Sequence, residues 1–333
     1  MLHHILNISD LTKSDLDYIL SVAGNIANNP SRYDEVGKGK ILATLFFEPS
    51  TRTRLSFESA MLRLGGGVIG FSDVTASSVS KGETIEDTSR VVSAYCDVMA
   101  VRHPTAFEPH KMAAVASVPV INAGDGANEH PTQTLTDLVT IHQRFGRLDN
   151  LTIGLCGDLK YGRTVHSLIK MLARYPFNRF YLIAPDLLQM PQDIVEMLDK
   201  EGIPYTITDN LEEAIPALDV LYMTRIQRER FEDKSQYEQL KGVYVLDKEK
   251  MRRATPHMVV LHPLPRVDEI ATEVDDDERA WYFKQARFGV YARMALIIAQ
   301  LGLNDLMNDT RREDTLYVHN FAKRDDGRLP ERA

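Results

Sequence analysis

Short apolar runs of strand length alternate along this chain with stretches whose apolar positions follow a helical period. Ile41–Phe47, Val68–Phe71, Asp97–Val101 and Val118–Ile121 read as strands in the first half. Leu151–Cys156, Phe180–Ala184, Tyr205–Thr208, Asp219–Thr224, Val243–Leu246 and Met258–Leu261 read as strands in the second. Between several of them lie amphipathic helices. Phe57, Met61 and Leu64 fall at i, i+4 and i+7 before Gly65-Gly66-Gly67 stops the helix, and Val165, Leu168, Ile169 and Leu172 repeat the stripe before Tyr175-Pro176. Alternation of this kind predicts an α/β protein with two parallel sheets flanked by helices. His130-Pro131, followed by a helix through Phe145-Gly146, reads as a bridge between the halves. A late helix, about Gly289 to Leu303, is able to pack on either half, and the polar stretch from Asn308 to Ala333 is expected to extend beyond the core.

Composition narrows the class. The chain has 333 residues, which favours two domains over one, and its 44% hydrophobic and 26% charged residues are ordinary for a globular protein. A formal net charge of −8 argues against a nucleic-acid coat and against an anionic membrane surface. The longest apolar stretch, near Met294–Leu303 and broken by Gln300, is too short to span a bilayer. No charged-then-apolar signal segment opens the sequence, so a cytoplasmic enzyme is expected. Cys96 and Cys156, the two cysteines, provide neither a disulfide framework nor a thiolate metal site.

Ligands in open α/β sheets bind beyond the carboxyl ends of the strands, and there the polar residues gather. Glu48-Pro49-Ser50-Thr51-Arg52-Thr53-Arg54, Arg102-His103-Pro104 and Gly124-Asp125-Gly126 with His130-Pro131-Thr132-Gln133 follow strands of the first half. Gly157–Thr164, Thr224-Arg225-Ile226-Gln227 and His262-Pro263-Leu264-Pro265-Arg266 follow strands of the second. Ser50–Arg54 sets hydroxyls and guanidiniums where a helix begins, a pattern suited to phosphate or carboxylate, although a plain Ser50 cap with solvated arginines would look similar. Gly157–Thr164 nearly matches the nucleotide-cradling loop but carries Arg163 where that loop needs lysine. Anion binding without ATP is the preferred reading, and a nucleotide-dependent enzyme the rival. Lys81, in the polar loop Ser72–Glu83, is either a surface lysine or a group that closes over an anionic ligand. His130 beside Gln133 is a plausible donor to a carbonyl oxygen. The acidic run Asp275–Glu278 reads as a solvated loop and, lacking histidine partners, as a poor metal site. With four candidate arginines (Arg52, Arg102, Arg163, Arg225) and no nucleophile–base pair evident, the chemistry suits an enzyme that positions anions and stabilises developing charge.

Taken together, Ser50-Thr51-Arg52-Thr53-Arg54, His130-Pro131-Thr132-Gln133 and His262-Pro263-Leu264-Pro265-Arg266 resemble the carbamoyltransferases. Lys81 in its loop, Arg225 with Gln227, and Leu264 in a segment where ornithine-using relatives usually carry cysteine narrow the resemblance to the catalytic chains of the aspartate carbamoyltransferases, over roughly residues 5 to 305.

That resemblance implies two domains with the active site in the cleft between them. Residues 1–132 would bind carbamoyl phosphate, with the C-terminal helix 289–307 packing back on them; 133–288 would bind L-aspartate, and 308–333 would form a polar extension. Ser50, Thr51, Arg52 and Thr53 would hold the phosphate, with Arg102 reaching it too. Thr53, Arg102 and His130 would face the carbonyl oxygen, while Gln133 and the backbone carbonyls of Leu264 and Pro265 would fix the carbamoyl nitrogen. Arg163, Thr164, Arg225 and Gln227 would bind the aspartate carboxylates, and Glu48 and Arg230 would join Arg163 and Arg225 in salt links on domain closure. Ser77 and Lys81 would come from a neighbouring subunit, making the unit a homotrimer. No cofactor and no metal are implied. The segment Thr105–His110 departs from the pattern of chains that dock zinc-bearing regulatory chains, which leaves that partnership open.

Overall fold

A computed structural model of the protein describes residues 4–72, 81–226, 237, 238 and 240–303. Ser77, Gln227, Arg230 and the extension 308–333 therefore lie outside the described residues. Four parallel strands form the first sheet, in the order β2-β1-β3-β4: β1 Ile41–Phe46, β2 Gly67–Phe71, β3 Val98–His103 and β4 Val120–Asp125. Five parallel strands form the second, in the order β7-β6-β5-β8-β9: β5 Thr152–Cys156, β6 Arg179–Ile183, β7 Tyr205–Thr208, β8 Val220–Met223 and β9 Val259–Leu261. The longer helices are α1 Lys13–Asn28, α2 Thr51–Arg63, α3 Ile85–Ser93, α4 Glu108–Val115, α5 Pro131–Phe145, α6 Arg163–Leu172, α7 Gln192–Glu201 and α8 Tyr282–Leu301. Among the described residues, no helix is long and apolar enough to cross a membrane.

The central strands are buried on both faces, which is why they read as unbroken apolar runs rather than as alternation. Helix α2 ends where expected, with Leu64 as its cap and Gly65 at φ +80°. Helix α5 likewise stops at Gly146, φ +67°.

Three expectations need correction. Val243–Leu246 is not a strand: after Gly242 (φ +73°) the chain turns, and Leu246 makes one isolated parallel bridge to Ile270. Its N–H and C=O are spent on Glu269 and Ala271, so Tyr244 and Leu246 fill the core while the run stays outside the sheet. Strand β4 begins two residues later than the apolar run Val118–Ile121 and continues to Asp125. The late helix starts at Tyr282 rather than Gly289 and packs against α1, α2 and α5. From Tyr291 to Gln300 it is buried all round, whereas its first two turns bury only Tyr282, Gln285 and Gly289, a set with no apolar stripe to mark the start of the helix.

Candidate active site

Three helices begin at strand ends that face one another. Helix α2 follows β1, α5 follows β4, and α6 follows β5, so the positive ends of three helix dipoles point into one space. Ser50 occupies the cap position of α2, yet its side chain makes no capping hydrogen bond. The dull reading of that serine therefore fails, and its hydroxyl belongs to the cavity.

The cavity is about 770 Å³ in volume. Ser50, Thr51, Arg52, Thr53, Arg102, His130, Gln133, Arg163, Thr164, Arg225, Leu264 and Pro265 all line it, although they come from both halves of the chain. Lys81 is exposed and does not line it. Among the described residues, no carboxylate lines it either, whereas a fifth guanidinium, that of Arg293, does. A concave surface with several cations and no lining acid selects for an anion bearing more than one charge.

Individual contacts show how the cations are held. Arg102 Nε donates to Glu48 Oε1 at 2.7 Å, and its Nη1 lies 3.4 Å from the Ala123 carbonyl. Arg163 donates from Nη1 to the Gly126 carbonyl. Arg52 Nη2 donates across the cleft to the Leu264 carbonyl at 2.9 Å, tying the first half of the chain to the second. Burial, and then the nearby Arg102 charge, lower the pKa of Arg52, so an anion placed beside both guanidiniums would favour its charged form. Gly124, at φ +118°, lets the backbone pass beneath this cluster. A Cβ there would lie 2.9 Å from Arg102 Nη1 and 3.3 Å from the His130 ring.

His130 is 7% exposed, and burial first, then the charges of Arg102, Arg163 and Arg293, push its pKa well below the ordinary value. Its ring is neutral at physiological pH and contributes a dipole rather than a charge. Nε2 lies 3.5 Å from Thr53 Oγ1, bringing together two of the groups expected at the carbonyl oxygen.

The far wall is the segment His262–Arg266. The N–H of Leu264 donates to His262 Nδ1 at 2.7 Å, so the ring hydrogen sits on Nε2 and is given to Glu269 Oε1 at 2.7 Å. Burial alone would raise Glu269, but the His262 ring and backbone donors hold its carboxyl below the usual range. Leu264 has φ +54°, a left-handed conformation costly for a branched side chain, and it aims its carbonyl into the cleft. Asp275 is not simply a solvated acid: it pairs with both terminal nitrogens of Arg266 and accepts from the Tyr282 hydroxyl, bracing the end of this wall.

Sequence reasoning missed Asp137, Tyr222, Gln285 and Arg293. Asp137 is fully buried, and burial raises its pKa to about 7 against the hydrogen bonds of Gln285, Gln133 and Tyr222 and the charge of Arg293. Arg293 donates to Thr136, Thr132 and the Gly289 carbonyl, and burial brings it down to about 10. The available signal was an acid four residues after Gln133 within the apolar run Leu135, Leu138, Val139 and Ile141.

The rival nucleotide loop fails on its geometry. Gly157 packs on Thr224, whose carbonyl a Cβ would meet at 2.4 Å, and Gly162 packs as closely on the Asp158 carbonyl. Asp158 is a fully buried acid inside the loop, accepting from the Tyr161 N–H at 2.9 Å, and a phosphate there would meet its charge. No group of three or more His, Cys, Asp or Glu among the described residues is placed to hold a metal ion.

Residues 3–143 match the family model described as aspartate/ornithine carbamoyltransferase, carbamoyl-P binding domain. Residues 149–300 match that described as aspartate/ornithine carbamoyltransferase, Asp/Orn binding domain. The aspartate carbamoyltransferase catalytic subunit of Clostridium novyi is 58% identical over 300 residues, covering 90% of this chain and 98% of that protein. Solved structures are similar as well. The catalytic subunit of M. jannaschii aspartate transcarbamoylase superposes with a TM-score of 0.84 at 44% identity, covering 91% of this chain and 99% of its own. Trypanosoma cruzi aspartate transcarbamoylase, solved in complex with carbamoyl phosphate and aspartate, gives 0.83 at 42% identity, covering 89% and 96%.

Proposed function

The chain belongs to the aspartate/ornithine carbamoyltransferase family, and from that premise we propose how its cleft works. It transfers the carbamoyl group of carbamoyl phosphate to the α-amine of L-aspartate, giving N-carbamoyl-L-aspartate and phosphate in pyrimidine synthesis. The observation that carries the assignment of roles is the single cavity lined by five guanidiniums and no acid among the described residues.

Residues 1–132, with α8 from Gly289 onward, form the unit that holds carbamoyl phosphate, and 133–288 form the unit that holds aspartate. Ser50, Thr51, Arg52 and Thr53 receive the phosphate at the N-terminus of α2, with Arg102 beside them. Thr53, Arg102 and the neutral His130 donate to the carbamoyl oxygen as it gains charge. Gln133 and the carbonyls of Leu264 and Pro265 receive the carbamoyl N–H groups, and Arg163, Thr164, Arg225 and Gln227 take the two carboxylates of aspartate. The neutral amine forms the new C–N bond, the C–O bond to phosphate breaks, and the departing phosphate accepts the amine proton. Such a step needs no protein base. It needs oriented donors, each worth about 3 kcal/mol by analogy with other oxyanion holes.

A steady-state assay tests the acceptor directly. Carbamoyl-aspartate formation is expected, with ornithine a negligible acceptor under the same conditions. Transfer to ornithine with none to aspartate would overturn the acceptor assignment.

In this reading the active unit is, as the family resemblance implies, a homotrimer in the cytoplasm, and Lys81, exposed and not among the residues lining the cavity of its own chain, is available to serve a neighbour's. Ser77 and Lys81 enter from the neighbour. Inactive Arg52→Ala and Lys81→Ala chains, mixed and allowed to exchange, are expected to recover part of the activity. Verified hybrids that stay inactive would return Lys81 to its own subunit.

A further inference from the structure

We propose that Asp137 is a positioning residue that fixes which end of the Gln133 side-chain amide faces the carbamoyl group, and so lets the cleft tell an amide nitrogen from a methyl group. The inference deepens the reading above and rests on its placing of the carbamoyl nitrogen at Gln133.

An amide side chain presents a donor at one end and an acceptor at the other, and the two ends have nearly the same shape. Which end enters the cavity is decided by what holds the opposite end. Asp137, one helical turn along α5, lies 2.8 Å from one end of Gln133 through Oδ1. The same oxygen lies 2.7 Å from the amide of Gln285 on α8. Gln285 cannot be reversed, because its own oxygen accepts from the backbone N–H of His262 at 2.9 Å. Its nitrogen must therefore face Asp137, which establishes Oδ1 as an acceptor. The remaining oxygen, Oδ2, meets the Tyr222 hydroxyl at 2.9 Å.

Protonation does not upset the arrangement. A proton on Asp137 would settle on Oδ2, where the Tyr222 hydroxyl is able to accept as well as donate. Oδ1 would keep both amide N–H groups. With Asp137 0% exposed, no water competes for that oxygen. Gln133 is left with Nε2 turned inward and Oε1 turned toward the cavity it lines. An acceptor there favours a ligand carrying N–H at that point. Acetyl phosphate, identical to carbamoyl phosphate except for a methyl group in place of the amino group, would leave Oε1 unpaired.

The test compares carbamoyl phosphate, acetyl phosphate and inorganic phosphate in the full-length enzyme. The wild type is expected to favour carbamoyl phosphate, by KM, over acetyl phosphate, by Ki, by about tenfold or more. In Asp137→Ala the amide is released, and the preference is expected to shrink to within about threefold, with the Ki for inorganic phosphate unchanged within twofold. A merely structural role would weaken all three together. Asp137→Asn keeps an acceptor oxygen at the Oδ1 position and offers its nitrogen to Tyr222, so it is expected to retain the preference. This arm decides the matter if the alanine variant does not fold. Retained preference in a folded alanine variant, or lost preference in the asparagine variant, would overturn the inference. A wild type that binds acetyl phosphate as tightly as carbamoyl phosphate would instead overturn the placing of Gln133 itself.

Discussion

Arg52→Ala is expected to lower kcat by about a hundredfold or more, with the melting temperature nearly unchanged. Arg52 is exposed toward the cleft and sits in the first turn of α2, so alanine there leaves no hole in the core. What disappears is a cation at the mouth of a helix dipole, beside the Arg102 guanidinium, whose repulsion an anion bound between the two would offset. The bond to the Leu264 carbonyl across the cleft goes with it. The loss should appear in kcat more than in KM, because charge on the departing phosphate is greatest in the transition state. A turnover number near that of the wild type would place the phosphate elsewhere.

Arg225→Ala is expected to raise the KM for aspartate by about thirtyfold or more, the lower end of what truncating one partner of a buried charge pair costs. Arg225 lies just beyond β8, half-buried, in the wall formed by the second sheet. Binding of carbamoyl phosphate, followed by calorimetry, should change little. If affinity for carbamoyl phosphate falls as far as that for aspartate, Arg225 serves the other substrate.

The strands and the cavity rim were legible for one physical reason. A buried parallel strand is an unbroken apolar run, and the polar residues that end it are local in sequence, so Ser50–Arg54 or Thr224-Arg225 stand out beside their strands. The polar network behind the rim was not legible. Asp137 on α5, Tyr222 on β8, and Gln285 and Arg293 on α8 come from distant parts of the chain and meet only in three dimensions. Each alone looks like an ordinary polar residue in a helix or strand. Val243–Leu246 misled for the opposite reason: its composition suits a strand, but its hydrogen-bonding partners lie at Glu269–Ala271 rather than in the sheet. The family resemblance supplied what local pattern could not, a reason to expect residues from both halves in one cleft, and the cavity lining brings those residues together.

Pro263 and Pro265 flank Leu264, whose N–H is engaged by His262, itself anchored on Glu269. A segment restrained at so many points has little motion left to surrender when a ligand arrives. It works as a fixed gauge: its loss of freedom occurred during folding, not during recognition, so molecules of the wrong width are refused rather than accommodated.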